Sequence, residues 1–159
     1  MKVVLSLGSN VGDRMGHLRR GLGVLRGSLV VTAVSAVYET APVGGPEQGP
    51  YLNAVVLADA DDAAAALVAA QAAEAAAGRT REVRWGPRTL DVDVIDAGAT
   101  TSDDPALTLP HPRAHERAFV LAPWLDVEPG AELPGHGPVA VLLGDLGRDG
   151  VVRTAEVLA

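Results

Sequence analysis

The chain has 159 residues, a net charge of −7 from 20 acids against 13 bases, 48% apolar residues and no cysteine. That length and balance describe an ordinary globular chain, read as one domain over residues 1–159, and they argue against disordered, collagen-like and coiled-coil architectures. The missing cysteine removes disulfides, thiolate metal sites and a cysteine nucleophile. The acidic balance argues against a surface built for long nucleic acid.

In chain order, residues 2–8 read as a buried strand built on Val3, Val4, Leu5 and Leu7. Gly8-Ser9-Asn10 cuts this run, which is too short for a signal peptide. These residues stand between a strand and a helix, where backbone amides suit phosphate, but they lack the Gly-Lys-Ser/Thr of a P-loop. A tight turn is the expectation. A helix capped near Asp13 follows, with Met15, Leu18, Leu22 and Leu25 on one face. Gly16, Gly21 and Gly23 weaken it by about 1 kcal/mol each. Residues 29–40 read as a second strand. The stretch 41–50, with three prolines and three glycines, is a loop long enough to carry function.

The next strand spans 51–60. A second helix starts at Asp61 or Asp62 and runs to about Ala77, where Gly78 stops it. Its alanine-rich body contains Gln71 and Glu74 and is not a membrane span. Residues 79–87 form a basic loop in an acidic chain. A strand begins near Thr89, 100–105 is turn-like, and 106–109 is a short return strand. Helices are expected at 113–122 and 138–146, with 129–138 a loop and 151–157 a final strand. The β-α-β-β-α-β order predicts an α+β sandwich, a mostly antiparallel sheet under helices. A cytoplasmic chain without membrane attachment is expected, acting as a monomer.

The sharpest chemical feature is Leu90-Asp91-Val92-Asp93-Val94. On a strand, alternation turns Leu90, Val92 and Val94 to the core and puts Asp91 and Asp93 together on the other face, about 6–7 Å apart. Two carboxylates so placed can hold magnesium together with water and phosphate oxygens. They are equally the solvated acids of an amphipathic strand. Upstream, Arg79, Arg81, Arg84 and Arg88 flank Trp85-Gly86-Pro87. Guanidinium groups pair with phosphate in a bidentate way, so a basic loop feeding an acidic strand suits a metal-bound polyphosphate. The plain alternative is a charged loop balancing the acids.

Only five aromatic residues are present: Tyr38, Tyr51, Trp85, Phe119 and Trp124. Trp85 in a polar loop is costly unless a flat ligand stacks on it. Tyr51 and Asn53 share a strand face, a stacking surface beside an amide that can read a heterocycle edge; a core tyrosine and a satisfied asparagine account for them as well. Gln71 and Glu74 are helix neighbours, either ligand contacts or surface polars. His111, held between Pro110 and Pro112, is a phosphate contact or a loop histidine.

Five segments together carry a resemblance. They are Gly8-Ser9-Asn10; Tyr38-Glu39-Thr40 with Pro42 and Gly44; Tyr51-Leu52-Asn53-Ala54; Arg84 through Asp93; and Pro110-His111 through Arg117 and Phe119. In this order and spacing the chain resembles the 6-hydroxymethyl-7,8-dihydropterin pyrophosphokinase family of folate biosynthesis. The resemblance implies a ferredoxin-like βαββαβ fold with extra C-terminal helices and a strand. It implies transfer of a diphosphoryl group from ATP, as co-substrate, to the hydroxymethyl of the pterin, with release of AMP. Arg79, Arg88, Asp91 and Asp93 are then the catalytic set, with Asp91 and Asp93 as ligands of two Mg²⁺ ions.

Carried over the same way, Tyr51 and Phe119 sandwich the pterin, Asn53 reads its edge, Thr40, Pro42 and Val43 complete its pocket, and Trp85 closes over it. Gln71, Glu74, Arg79, Trp85, Arg88, Thr108, His111 and Arg117 are the implied nucleotide contacts. Three positions depart from the family pattern: Pro112 replaces an aromatic found in some members, Gly49-Pro50 stands where an acid is frequent, and Asp96 stands where the metal-bearing strand is usually apolar, so that strand is expected to end early. Two readings of other classes remain beside this one: a silent pterin- or nucleotide-binding module, and another metal-dependent nucleotidyl- or glycosyltransferase.

Overall fold

The computed structural model describes residues 1–41, 49–78 and 89–158. The expected positions Pro42, Val43, Arg79, Trp85 and Arg88 lie outside them. Eight strands and four helices follow one another as β1 (Lys2–Ser9), α1 (Arg14–Ser28), β2 (Val30–Val34), β3 (Tyr38–Thr40), β4 (Tyr51–Asp59), α2 (Ala63–Ala76), β5 (Asp91–Ala97), α3 (Ala118–Val127), β6 (Glu132–Leu133), β7 (Gly137–Pro138), α4 (Val139–Leu146) and β8 (Val151–Arg153) among the described residues. The main sheet has the order β5-β1-β4-β3-β8, with β2 also on β4. Every pairing in it is antiparallel.

Alternation along the central strands divides the interior in two. Val3, Leu5, Leu7, Ala54, Val56, Val92 and Val94 face one layer with Leu18, Leu22 and Leu25 of α1 and Ala66, Ala69, Ala70 and Ala73 of α2. Val4, Tyr38, Val55, Leu57 and Ile95 face the other, with Val120, Leu121 and Trp124 of α3 and Val139 and Leu143 of α4. With few rings available, small side chains let α2 pack closely, and the fully buried Trp124 is the largest group in the second layer. The helix starts are those expected: Asp13 accepts from Gly16 N at 3.0 Å, and Asp62 from Ala65 N at 2.8 Å. Each bond satisfies an orphan amide of a first turn.

Several expected elements take a different form. The single strand over 29–40 is two, because Ser35 interrupts it. Its backbone N–H donates to Val55 O at 2.9 Å while its Oγ accepts from Val55 N at 2.8 Å. A side-chain oxygen replaces a carbonyl there, and the ladder resumes at Tyr38. The helix over 113–122 begins as one 3₁₀ turn, Ala114–Glu116, and restarts as α3 after Arg117 at φ −113°, ψ 95°. The return strand at 106–109 reduces to a bridge between Ser102 and Leu109. The loop at 129–138 contains the β6–β7 ladder, turned by Gly135 at φ +78° and Gly137 at φ +89°. The last strand ends at Arg153, where Thr154 binds Val37 O through both its N–H and its Oγ.

Asp96 does not end β5. The strand continues to Ala97 over an irregularity beside Val4 and Leu5. Asp96 itself is buried, and desolvation raises its carboxyl pKa despite the amides of Ala97 and Ala99 and the charge of Lys2. Gly8 is not in a turn either: β1 runs through it to Ser9.

Candidate active site

Register places the predicted residues. Gly8 on β1 pairs with Asn53 of β4 on one side and Asp91 of β5 on the other, while Ser6 pairs with Val55 and Asp93. Neighbouring strands stand about 4.8 Å apart, so Asn53 and Asp91 lie on opposite flanks of Gly8, about 10 Å from each other. Asp91 and Asp93 are half-buried and alternate with the buried Leu90, Val92 and Val94, as the pattern requires.

Gly8 is the residue that sequence reasoning missed. A Cβ there would stand 2.9 Å from Asn53 Oδ1 and 3.5 Å from Tyr51 Cδ1. The signal was available, since a glycine inside a strand often marks a close approach. Beside it, Asn53 donates from Nδ2 to Thr40 Oγ1 at 2.6 Å, both residues being buried. That bond orients the amide: with Nδ2 held by Thr40, Oδ1 turns toward Gly8. Arg14 Nη1 donates to Pro50 O at 3.0 Å and to Glu39 Oε2 at 3.3 Å, tying the entry to β4 to β3 just before Tyr51 and Thr40. Tyr38 Oη donates to the Asp126 carboxylate at 2.9 Å, joining β3 to α3. Burial and that neighbouring carboxylate both raise the phenol pKa.

The non-helical Arg117 puts Phe119 in the first turn of α3, with the guanidinium 5.6 Å from the ring centroid. His111 follows the cis Leu109–Pro110 peptide and docks on the sheet edge through its N–H to Ile95 O at 2.9 Å. Its Nδ1 accepts from Arg113 N at 3.2 Å. Burial, then the charges of Arg117 and Arg113, pull its pKa down to about 4. A neutral ring whose Nδ1 is an acceptor carries its proton on Nε2, so His111 offers a single N–H donor at neutral pH.

Gln71 and Glu74 separate. Gln71 is exposed, whereas Glu74 Oε2 accepts from Val92 N at 3.0 Å. Thr108 donates to Asp104 O at 3.1 Å within its own turn. An open cleft of about 420 Å³ at the start of α1 is lined by Asp13, Arg14, Glu39 and Glu156 among others, and by none of the predicted site residues. The sheet face around Gly8, rather than this cleft, brings together Thr40, Tyr51, Asn53, Asp91 and Asp93.

This face joins an acidic pair to an aromatic residue and an oriented amide, the groups of a transferase acting between a polyphosphate and a heterocycle. Residues 4–129 match the family described as 7,8-dihydro-6-hydroxymethylpterin-pyrophosphokinase (HPPK). The chain belongs to that family. It is 53% identical over 148 residues to a 2-amino-4-hydroxy-6-hydroxymethyldihydropteridine pyrophosphokinase of Mycobacterium leprae, covering 86% of this chain and 76% of the relative. A protein of the same name from Mycobacterium tuberculosis is 48% identical over 159 residues, covering 91% and 84%. The fold matches Plasmodium falciparum HPPK-DHPS, seen in a triple mutant with pteroate, at a TM-score of 0.72 and 13% identity over 96% of this chain and 46% of that one.

Proposed function

We propose that the chain transfers the diphosphoryl group of ATP to the hydroxymethyl of 6-hydroxymethyl-7,8-dihydropterin in folate biosynthesis, releasing AMP. The observation that carries this reading is the row Asp91–Gly8–Asn53 across three strands, in a chain of the HPPK family. It gives a heterocycle-reading amide and an acidic pair about two strand spacings apart. The pterin lies against Tyr51 and Phe119 with its edge at Asn53, and its hydroxymethyl reaches past Gly8 toward Asp91. The ferredoxin-like reading of the βαββαβ core, within one domain over 1–159, is supported by the sheet order and by α1 and α2 sharing one face.

Asp91 and Asp93 fit two Mg²⁺ ions. Both supply hard carboxylate oxygens from one half-buried face. Among the described residues no third His, Asp or Glu joins them in a cluster, and magnesium fills such positions with water and phosphate oxygens. The ions neutralise charge on the transferring phosphates. In the reaction the pterin hydroxyl oxygen attacks the β-phosphorus. The bond from that phosphorus to the bridging α-phosphate oxygen breaks, and AMP leaves with the electron pair. The hydroxyl proton passes to solvent or to a phosphate oxygen, so the chain supplies position and charge rather than a base. His111 offers its Nε2–H and Arg117 its guanidinium to phosphate. Arg79, Arg88 and Trp85 are assigned here from the family pattern: the arginines to phosphate charge, Trp85 to closing over the substrates.

No helix among the described residues is long and apolar enough to cross a membrane. We read the chain as a cytoplasmic monomer. The deciding experiment is product analysis with ATP, Mg²⁺ and 6-hydroxymethyl-7,8-dihydropterin. AMP and pterin diphosphate in equal amounts support the assignment. ADP would mean attack at the γ-phosphorus, and no product from folded, metal-replete protein would favour a silent binding module.

A further inference from the structure

We propose that Glu74 is a positioning residue for the acidic pair: its carboxylate holds the backbone N–H of Val92, the residue between Asp91 and Asp93, and so fixes where both carboxylates stand. This inference rests on reading Asp91 and Asp93 as metal ligands. Among the described residues β5 is the edge strand of the sheet, paired only with β1. Amides on the outer side of an edge strand have no ladder partner. The Val92 N–H is one of them, and Glu74 Oε2 receives it at 3.0 Å.

A hydrogen bond to a carboxylate is stronger and more directional than one to water. Val92 is thereby held through its side chain, buried in the α1–α2 layer, and through its amide. Asp91 and Asp93 are its immediate neighbours, so a tilt of the Val92 peptide displaces both. α2 supplies the reach: Ala70, Ala73 and Ala77 bury the helix against the core, and Glu74 stands at its rim facing β5. Gln71, one turn earlier, is exposed and holds no equivalent position. With Oε2 on the amide, Glu74 acts through the strand rather than as a further metal ligand. This role differs from the nucleotide contact that the family pattern assigns to it.

The test uses the full chain with Glu74→Ala, Glu74→Met and Glu74→Gln. Met keeps the length of the side chain without an acceptor, and Gln keeps an acceptor oxygen. Amide hydrogen exchange at Val92 is measured without metal or nucleotide. The Mg²⁺ concentration for half-maximal rate is measured at saturating ATP. Loss of a group that orients a metal ligand costs about 10–100-fold in metal affinity or activity. Ala and Met are therefore expected to lose Val92 protection and to raise the Mg²⁺ midpoint about tenfold or more, with the pterin KM unchanged, and Gln to restore both. Unchanged Val92 exchange in Ala and Met would overturn the proposal. So would a Gln variant that behaves like Ala with only the ATP KM moved. Mn²⁺ binding to Asp91→Asn and Asp93→Asn separates the two levels. If these variants bind Mn²⁺ as the parent does, the metal reading fails. If they lose it while Glu74→Ala keeps the parental midpoint, the positioning role alone fails.

Discussion

Gly8→Ala is the most informative single change, because it adds one methyl group between the amide and the acids. The new Cβ would stand 2.9 Å from Asn53 Oδ1, where an ordinary contact begins at 3.4 Å. The amide must therefore retreat by about half an ångström, and it has little room. Asn53 is 3% exposed, Thr40 is 4% exposed, and the bond between them is 2.6 Å long. Forcing Asn53 off its rotamer costs about 0.5–1.5 kcal/mol. Breaking the bond leaves a buried polar group unsatisfied, at about 1–3 kcal/mol. Folding stability should fall by about 1–3 kcal/mol by the same accounting.

The substrate should register the same displacement. One misaligned hydrogen bond to the heterocycle is worth about 1 kcal/mol or somewhat more, so the pterin Kd should rise about 5–30-fold. Titrations of the pterin and of ATP, made separately, check this: only the first should move. The Asn53→Ala background supplies the control, since without the amide there is nothing to clash with, and Gly8→Ala should add little there. Parental pterin affinity and stability in Gly8→Ala would refute the reasoning, as would an undiminished loss in the Asn53→Ala background.

Asp91→Asn or Asp93→Asn should lower kcat by about 10²–10³-fold or more, as expected when a group stabilising transition-state charge is removed. Both side chains are half-buried on the face opposite Leu90, Val92 and Val94 and the change keeps their size, so circular dichroism and thermal unfolding should match the parent; parental turnover in the double variant would sink the assignment. His111 makes stability pH-dependent. Its folded pKa of about 4 lies below its ordinary 6.5, so between those values the unfolded chain binds a proton that the native state refuses. Stability contributed by neutral His111 is therefore present above pH 6.5 and lost as pH falls toward 4, by about 1–2 kcal/mol after allowance for solvent screening. Urea unfolding at pH 7 and pH 5 should show a smaller pH dependence in His111→Asn. Trp124→Ala should cost about 3–5 kcal/mol through the cavity it leaves. Trp124→Phe, which mainly loses the 2.8 Å bond to Glu128 Oε1, should cost about 1–2 kcal/mol. Equal losses in denaturant titrations would contradict the packing account.

The local patterns were legible before the fold. Met15, Leu18, Leu22 and Leu25 mark the buried face of α1, and Asp13 and Asp62 mark helix starts. The alternation through Leu90–Val94 sorts the acids from the core. Each is a short-range consequence of a period of 3.6 or 2, so nearest neighbours in the chain suffice to state it. The residues around Trp85 and Arg88, specific as a motif, lie outside the described residues, and their place rests on the family pattern.

The tertiary structure decided matters that depend on partners distant in the chain. Ser35 splits a strand because Val55, 20 residues away, finds its hydroxyl. Asp96 stays in β5 because Val4 pairs with it. Gly8 is required because Asn53 arrives beside it, 45 positions along the chain, and Glu74 turns inward because α2 lies against an edge strand with an open amide. Residue types and periods determined which groups could do chemistry and which face each would take. Sheet register alone decided which of them meet, because antiparallel pairing sets residues side by side according to the strand order, and no local pattern carries that order.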